Sequence, residues 1–200
     1  MFITFEGGEG TGKTTLIQEV ASVLRQKHQV VTTREPGGSM IAEAIRDIIL
    51  NPKYKGVTPY TEALLLAAAR AQHLDEVIIP ALNRQAIVLC DRYIDSSLAY
   101  QGYARALGYD FILSINDYAV RNLPTLTFYI DLDPEVGLKR IANREKYDRL
   151  DQETFDFHIK VRSGYLDIMD KYPNRIIKID GTMSIQEITK TIVKHIEEKL

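Results

Sequence analysis

Gly7-Gly8-Glu9-Gly10-Thr11-Gly12-Lys13-Thr14 fits the pattern G-x-x-x-x-G-K-[ST] in full. Its surroundings fit as well. Phe2 to Phe5 is a short apolar run that reads as a buried strand, and Leu16, Val20, Val23 and Leu24 fall on one face of a following helix. Strand, glycine loop and helix make the arrangement that a phosphate-binding loop needs. Gly7, Gly8, Gly10 and Gly12 let backbone N–H groups turn inward as an anion nest, with no Cβ in the way. The helix start adds unsatisfied N–H donors and the positive end of its dipole. In such a loop Lys13 reaches the β- and γ-phosphates, and the Thr14 hydroxyl ligates Mg²⁺. This stretch predicts nucleoside triphosphate binding; its use must be read from the rest of the chain.

Outward from the loop, apolar runs alternate with helical patterns. Strands are expected at Phe2–Phe5, Gln29–Thr33, Ala86–Cys90, Thr125–Leu132 and Arg175–Asp180. The segments between them are long enough for crossover helices, so the pattern predicts a mainly parallel sheet covered on both faces. Ile41, Ile45, Ile48 and Ile49 give one helix face after Gly37-Gly38, and Ile185, Ile188, Ile192, Ile196 and Leu200 give an amphipathic terminal helix. Asn51 to Gly56 is a loop by its Pro and Gly. No repeat or linker divides the 200 residues, and one α/β domain over 1–200 is expected.

Composition narrows the function classes. A net charge of −2 provides no overall basic field for nucleic acid. The single cysteine, Cys90, excludes an internal disulfide and a Cys-rich zinc site, and its apolar neighbours make it a buried small hydrophobe. The chain opens on a strand with no secretory pattern, and no apolar run reaches the roughly 18 residues of a membrane span. A cytoplasmic protein with no membrane partner is expected.

Two charged clusters follow strands, where ligands gather in an open parallel sheet. Arg34-Glu35-Pro36-Gly37-Gly38 follows the second strand and Asp91-Arg92-Tyr93 the third. Asp91 can hold Mg²⁺ directly or through water, and Arg92 can bind a second phosphate bidentately. The alternative is that Asp91 and Arg92 cap the strand and pair with each other. Ser97 and Gln101 are spaced to share a helix face, and an amide offers the donor and acceptor needed to read an imide edge. A solvated polar face is the alternative. Within Thr61 to Ala71, the run Ala63 to Ala69 is apolar all round, so this helix is expected to be buried, and Glu62 and Arg70 then need partners. Arg70 either joins an internal ion pair or faces a polar ligand in a cleft. Lys139 to Leu150 carries Arg140, Arg144 and Arg149. A basic run of this kind is either a solvated surface or a segment closing over the triphosphate, adding positive charge and excluding water.

Taken together and in this order, the phosphate loop, Arg34-Glu35-Pro36-Gly37-Gly38, Thr61-Glu62-Ala63, Asp91-Arg92-Tyr93 with Ser96-Ser97-Leu98-Ala99-Tyr100-Gln101-Gly102, and Asp148-Arg149-Leu150-Asp151-Gln152-Glu153 resemble a thymidylate kinase over nearly the whole chain. The resemblance implies a P-loop nucleoside monophosphate kinase fold, with a five-stranded parallel sheet in the order 2-3-1-4-5, and a homodimer packed through helices. It implies transfer of the γ-phosphoryl of ATP to dTMP with Mg²⁺, held at Thr14 and Asp91. Gly7 to Thr14 would bind ATP. Arg34, Glu35, Arg46 and Arg92 would line the acceptor site, the arginines gathering chiefly around its phosphate. Arg70 and Gln101, with Ser97 nearby, would read the thymine edge. Glu9 would hold the 3′-hydroxyl, and Tyr100 would crowd the place of a 2′-hydroxyl. Some members carry a catalytic arginine inside the phosphate loop, where this chain has Gly10. That resembles the bacterial type, with a lid at about 140–151 supplying the charge. Arg144 is the first choice and Arg149 the second, alongside Lys13 and Arg92 as catalytic residues. Leu66 aligns with a position where family members stack an aromatic ring on thymine.

Two rival readings remain at this stage. One is a kinase for a different small acceptor, against which Arg34 and Arg92 argue for an acceptor already carrying phosphate. The other is a nucleotide switch, but no Asn-Lys-x-Asp guanine motif occurs.

Overall fold

Five short strands meet edge to edge in one parallel sheet, and their carboxyl ends create the rim on which the charged clusters sit. The computed structural model describes residues 1–54, 56–142 and 149–200. The strands are β1 (Phe2–Glu6), β2 (Val30–Arg34), β3 (Ile87–Asp91), β4 (Leu126–Asp131) and β5 (Ile176–Asp180), in the order β2-β3-β1-β4-β5. This is the order that the resemblance implies. The helices in chain order are α1 (Lys13–Leu24), α2 (Met40–Leu50), α3 (Pro59–His73), α4 (Ile79–Asn83), α5 (Ile94–Ser97), α6 (Tyr109–Ile115), α7 (Asp117–Val120), α8 (Pro134–Ile141), α9 (Phe155–Lys171) and α10 (Ile185–Glu197). Leu74–Ile78 and Leu98–Ala104 are wound as π-helix.

Alternation along β1 sends Ile3 and Phe5 to one face of the sheet and Phe2 to the other. Ile3 and Phe5 pack with Leu16 and Val20 of α1 and with Ile188, Ile192 and Ile196 of α10. Phe2 packs with Val88, Tyr93, Leu74 and Ile78. A third cluster joins α9 to the π-helical turn through Tyr100, Phe157, Val161 and Tyr165. Helices therefore cover both faces, as a parallel sheet with apolar strands on both sides requires. α10 starts at a capping box, in which Ser184 and Glu187 satisfy each other's backbone N–H groups.

β1, β2 and β3 each run one residue further toward their carboxyl ends than the apolar runs predict, and β5 ends at Asp180 as expected. Phe5 pairs with Asp91, Glu6 with Tyr129, and Arg34 with Asp91. The ladder is a backbone interaction and continues past the last apolar side chain. Gln29, Ala86, Thr125 and Arg175 precede their strands, and Leu132 follows β4. Three further expectations are corrected. The helix around Leu64 is not buried all round: Leu64 is 52% exposed, while Glu62, Leu66 and Arg70 face inward. Leu200 lies exposed beyond α10. The segment carrying Ser97 and Gln101 changes from α5 to π winding at Leu98, so the four-residue spacing is not that of a regular α-helix. No helix among the described residues is long and apolar enough to cross a membrane.

Candidate active site

The loop between β1 and α1 closes on its own lysine. Lys13 Nζ donates to the carbonyl oxygens of Gly7 (3.1 Å) and Gly8 (2.9 Å) and to Thr11 Oγ1 (3.3 Å). Burial, with the Arg92 charge next in weight, lowers its ammonium from the ordinary lysine range to about 8. A bound polyphosphate would replace those carbonyls with charged partners. Gly10, at φ +68°, is pressed against α8: a methyl group there would lie 2.0 Å from the Gly137 carbonyl oxygen. An arginine at this position would therefore displace the helix that leads into residues 142–149. The loop's lack of an arginine is thus matched by tight packing as well as by sequence.

Thr14 Oγ1 donates to Asp91 Oδ2 at 3.1 Å, linking the start of α1 to the end of β3. Asp91 Oδ1 is buried and has no hydrogen-bond partner among the described residues. A hydroxyl and a carboxylate with an unsatisfied oxygen, beside a polyphosphate loop, are the donor set that suits Mg²⁺ or its bound water. The residues present fit that ion. Asp91 and Arg92 do not pair with each other, because Arg92 turns the other way.

Arg92 has a left-handed backbone, with φ +68°, a strained conformation for a long side chain. Four partners hold its guanidinium. Nη2 donates to Glu9 Oε1 at 2.6 Å, and Nη1 donates to Gly7 O (2.9 Å), Tyr165 Oη (3.2 Å) and Ser96 Oγ (3.3 Å). Tyr100 Oη donates to the same Glu9 Oε1 at 2.9 Å. Burial alone would raise the Glu9 carboxyl, but Arg92, Lys13 and the Tyr100 hydroxyl hold it down to about 2, so it is ionised. Behind them lies Glu6, fully buried, accepting from Tyr93 N (2.7 Å), Ser96 Oγ (2.6 Å) and Tyr165 Oη (3.0 Å). Burial and the nearby Asp95 charge raise its carboxyl to about 7.

On the other side of the cleft, Arg70 is 2% exposed and held at every nitrogen. Nε donates to Glu35 Oε2 (2.7 Å), Nη1 to Asn116 Oδ1 (2.6 Å), and Nη2 to Tyr93 O and Ser97 Oγ (both 3.1 Å). His73 braces Glu35 in turn, with Nδ1 3.0 Å from Oε1 and Nε2 2.6 Å from Thr33 Oγ1. The ion pair and the cleft-facing position posed as alternatives for Arg70 therefore coexist: it is paired with Glu35, and it lines the cleft. Arg34 makes a forked contact to Glu43 (2.8 and 2.9 Å), and Arg46 donates to Pro36 O at 2.6 Å.

One cleft of about 290 Å³ gathers these groups. Glu9 through Thr14, Arg34, Glu35, Arg46, Leu66, Arg70, Asp91, Arg92, Ser97, Tyr100 and Gln101 all line it. Gly7 and Gly8 lie beneath, as acceptors of Lys13 and Arg92 bonds. Arg149 is not in its wall. It is tied to α2 and α3 instead, with Nη2 2.5 Å from Glu62 Oε2, Nε 2.8 Å from Ile49 O, and its backbone N–H 3.0 Å from Leu50 O. Arg144, with Asp148, lies outside the described residues.

Sequence reading gave no role in the site to Glu6, Pro36, Leu50 or Ser96, although Pro36 and Ser96 fall within motifs it noted. Glu6 carried a usable signal: it is a charge ending an apolar strand, the same feature that drew attention to Asp91. Tyr165 lies within α9 and Asn116 in the turn between α6 and α7, and neither gave one; only the fold brings them to Arg92 and Arg70.

Comparison with known proteins follows the same lines. Residues 5–192 match the family model described as Thymidylate kinase. The chain is 55% identical to the thymidylate kinase of Acholeplasma laidlawii, with all of both chains covered. It is 52% identical to that of Bacillus licheniformis, covering all of this chain and 96% of the relative. The crystal structure of thymidylate kinase from Ehrlichia chaffeensis superposes with a TM-score of 0.80 at 33% identity, covering 98% of each chain. With the sheet order and the phosphate loop already in place, these matches show that the chain belongs to the thymidylate kinase family and has the P-loop nucleoside monophosphate kinase fold.

Proposed function

We infer that this protein transfers the γ-phosphoryl group of ATP to dTMP, giving dTDP. Family membership supports the reaction. The observation that carries the acceptor's identity is Gln101, which lines the same cleft as Arg70 and whose buried amide oxygen, Oε1, has no partner among the described residues. A thymine base offers the complementary N3–H donor and an O4 acceptor.

The roles follow from the partners. Lys13 exchanges its loop carbonyls for β- and γ-phosphate oxygens and counters the charge that develops on transfer. Arg92, held between Glu9 and the loop, meets the acceptor phosphate, and Arg34 and Arg46 add positive charge on that side. Glu9 accepts from the 3′-hydroxyl, while Tyr100, bonded to Glu9, fills the space of a 2′-hydroxyl. Leu66 packs against the base. Thr14 and Asp91 would hold Mg²⁺, which when bound neutralises phosphate charge. The lid at about 140–151, with Arg144 foremost, supplies the arginine for which Gly10 leaves no room.

Counting ADP formed from ATP and Mg²⁺ with a panel of monophosphates tests the reading. dTMP and dUMP should react and dCMP poorly, because each unmade buried hydrogen bond costs roughly 1–3 kcal/mol. Equal catalytic efficiency on all three, or ADP release without acceptor, would refute it. We also read the protein as a cytoplasmic homodimer. Support for the dimer comes from the exposed Tyr60 and Leu64 of α3 and Met40, Ile41 and Ile48 of the adjacent α2. A monomer by sedimentation at micromolar concentration would discard the dimer.

A further inference from the structure

We propose that Glu62 is a specificity-determining positioning residue: it holds the Gln101 amide in the one sense that presents a hydrogen-bond acceptor to the base. The proposal rests on the reading that the base of the acceptor nucleotide lies against Gln101 and Arg70.

Glu62 sits on the inward face of α3 and is 1% exposed. Its Oε2 accepts from Arg149 Nη2 (2.5 Å) and Arg105 Nη2 (3.3 Å). Its Oε1 accepts from Gln101 Nε2 at 2.7 Å, with Arg105 Nε more distant at 3.5 Å. Burial pulls this carboxyl upward, but Arg105, the Gln101 amide and Arg149 outweigh it and leave it below the usual carboxylate range. Glu62 is therefore an ionised group that only accepts. Turning the Gln101 amide over would bring its Oε1 against Glu62 Oε1, two acceptors at bonding distance in a buried place.

The consequence appears at the other end of the same amide. Gln101 is 1% exposed and lines the cleft, and its Oε1 has no partner among the described residues. A buried acceptor without a donor is costly until a ligand supplies one. The N3–H of thymine or uracil is such a donor, whereas N3 of cytosine is an acceptor. Nothing within a glutamine side chain chooses which end faces the ligand. That choice comes from Glu62, which does not itself line the cleft. Arg105 and Arg149 contribute by taking Oε2 at closer range, leaving Oε1 chiefly to the amide.

Substitution of Glu62 should thus act on base preference. In Glu62→Gln the new carbonyl takes the arginines and the new amide NH2 donates to Gln101 Oε1, turning that amide over. In Glu62→Ala the Arg105 and Arg149 donors draw Gln101 Oε1 toward themselves. Either change presents N–H to the base. The kcat/KM ratio of dTMP to dCMP should fall by roughly tenfold to a hundredfold, with the KM for ATP unchanged. A purely structural Glu62 would lower dTMP, dUMP and dCMP turnover alike and leave the ratio where it was. Gln101→Ala is the control for the underlying reading. If wild type has no preference, or Gln101→Ala leaves it intact, the reading of the cleft fails. If Gln101→Ala reduces the preference but both Glu62 variants keep the ratio within about twofold, the proposal is overturned. Glu62→Ala carries the test if Glu62→Gln does not fold. Independently of any variant, NMR of the wild-type protein with dTMP should place the Gln101 amide hydrogens beside the Glu62 γ-protons; hydrogens directed at the base instead would overturn the proposal.

Discussion

Replacing Arg149 with alanine separates a latch from a catalytic arginine. Three bonds tie Arg149 to α2 and α3: its backbone N–H to Leu50 O at 3.0 Å, Nε to Ile49 O at 2.8 Å and Nη2 to Glu62 Oε2 at 2.5 Å. Alanine keeps only the first. Hydrogen bonds involving a charged group contribute roughly 1.5–3 kcal/mol each. Glu62 retains Arg105, and the Arg149 side chain is 13% exposed, so the two losses together come to about 2–3 kcal/mol rather than their full sum. This loss falls on the arrangement in which Leu150 and Asp151, next in the chain, line the cleft. The KM for dTMP should therefore rise about 30- to 150-fold, while kcat at saturating dTMP and the KM for ATP stay within about fivefold. The assay is steady-state kinetics with each substrate varied in turn, with Arg144→Ala as the companion. Arg144→Ala should lower kcat and kcat/KM together, on the order of 10³-fold, if that arginine acts on the transferring phosphoryl group. A 10³-fold fall in kcat for Arg149→Ala, with its KM for dTMP unchanged, would refute the latch. Wild-type kinetics in both variants would mean that the positive charge on the transferring group comes from elsewhere.

Lys13 ties ATP binding to proton uptake. Burial, then the Arg92 charge, lower its ammonium to about 8 in the free loop, and negatively charged phosphate oxygens in place of the carbonyl contacts would raise it. At pH 9 ATP binding should take up close to one proton, and at pH 7 almost none, so affinity falls by up to about tenfold per pH unit above 8. Calorimetry in two buffers of different ionisation enthalpy reads the proton directly, and equal heats at pH 9 would contradict it. Removing the amine, in Lys13→Ala, should cut turnover by orders of magnitude in a folded protein; near-normal turnover would remove Lys13 from the chemistry. Asp95 holds the start of β5, taking Arg175 Nη1 at 2.6 Å and Nη2 at 2.8 Å, with 1% of its side chain exposed. Asp95→Ala leaves a largely buried guanidinium without its counter-ion, with only Thr127 Oγ1 among the described residues still accepting from it, at a cost of about 3–5 kcal/mol. The melting temperature should drop by about 6–20 °C, and a loss under about 2 °C by calorimetry would show that the pair contributes little.

The amino-acid sequence by itself determined the order of elements, the layering and the nature of the loop. These depend on local properties: apolar periodicity, glycine placement, and charges ending apolar runs. Lys13 and Thr14 could be singled out by the glycine-loop pattern, and Asp91 and Arg92 because strand ends in a parallel sheet converge at one rim. Which partner each charge takes was decided only by tertiary structure, since partners lie dozens of residues apart and approach through packing. Arg70 is spoken for by Glu35 and Asn116, while Arg92 turns from Asp91 to Glu9. Leu64 is exposed although its segment is apolar throughout, because only one side of α3 meets the rest of the chain. Gln101 was legible as a base-reading amide, but its sense was not. That depends on a carboxylate 39 positions earlier, brought to 2.7 Å by the packing of α3 against the π-helical turn. Residue types and spacing disclose which groups are available; the direction in which each donor and acceptor points is a property of the folded neighbourhood.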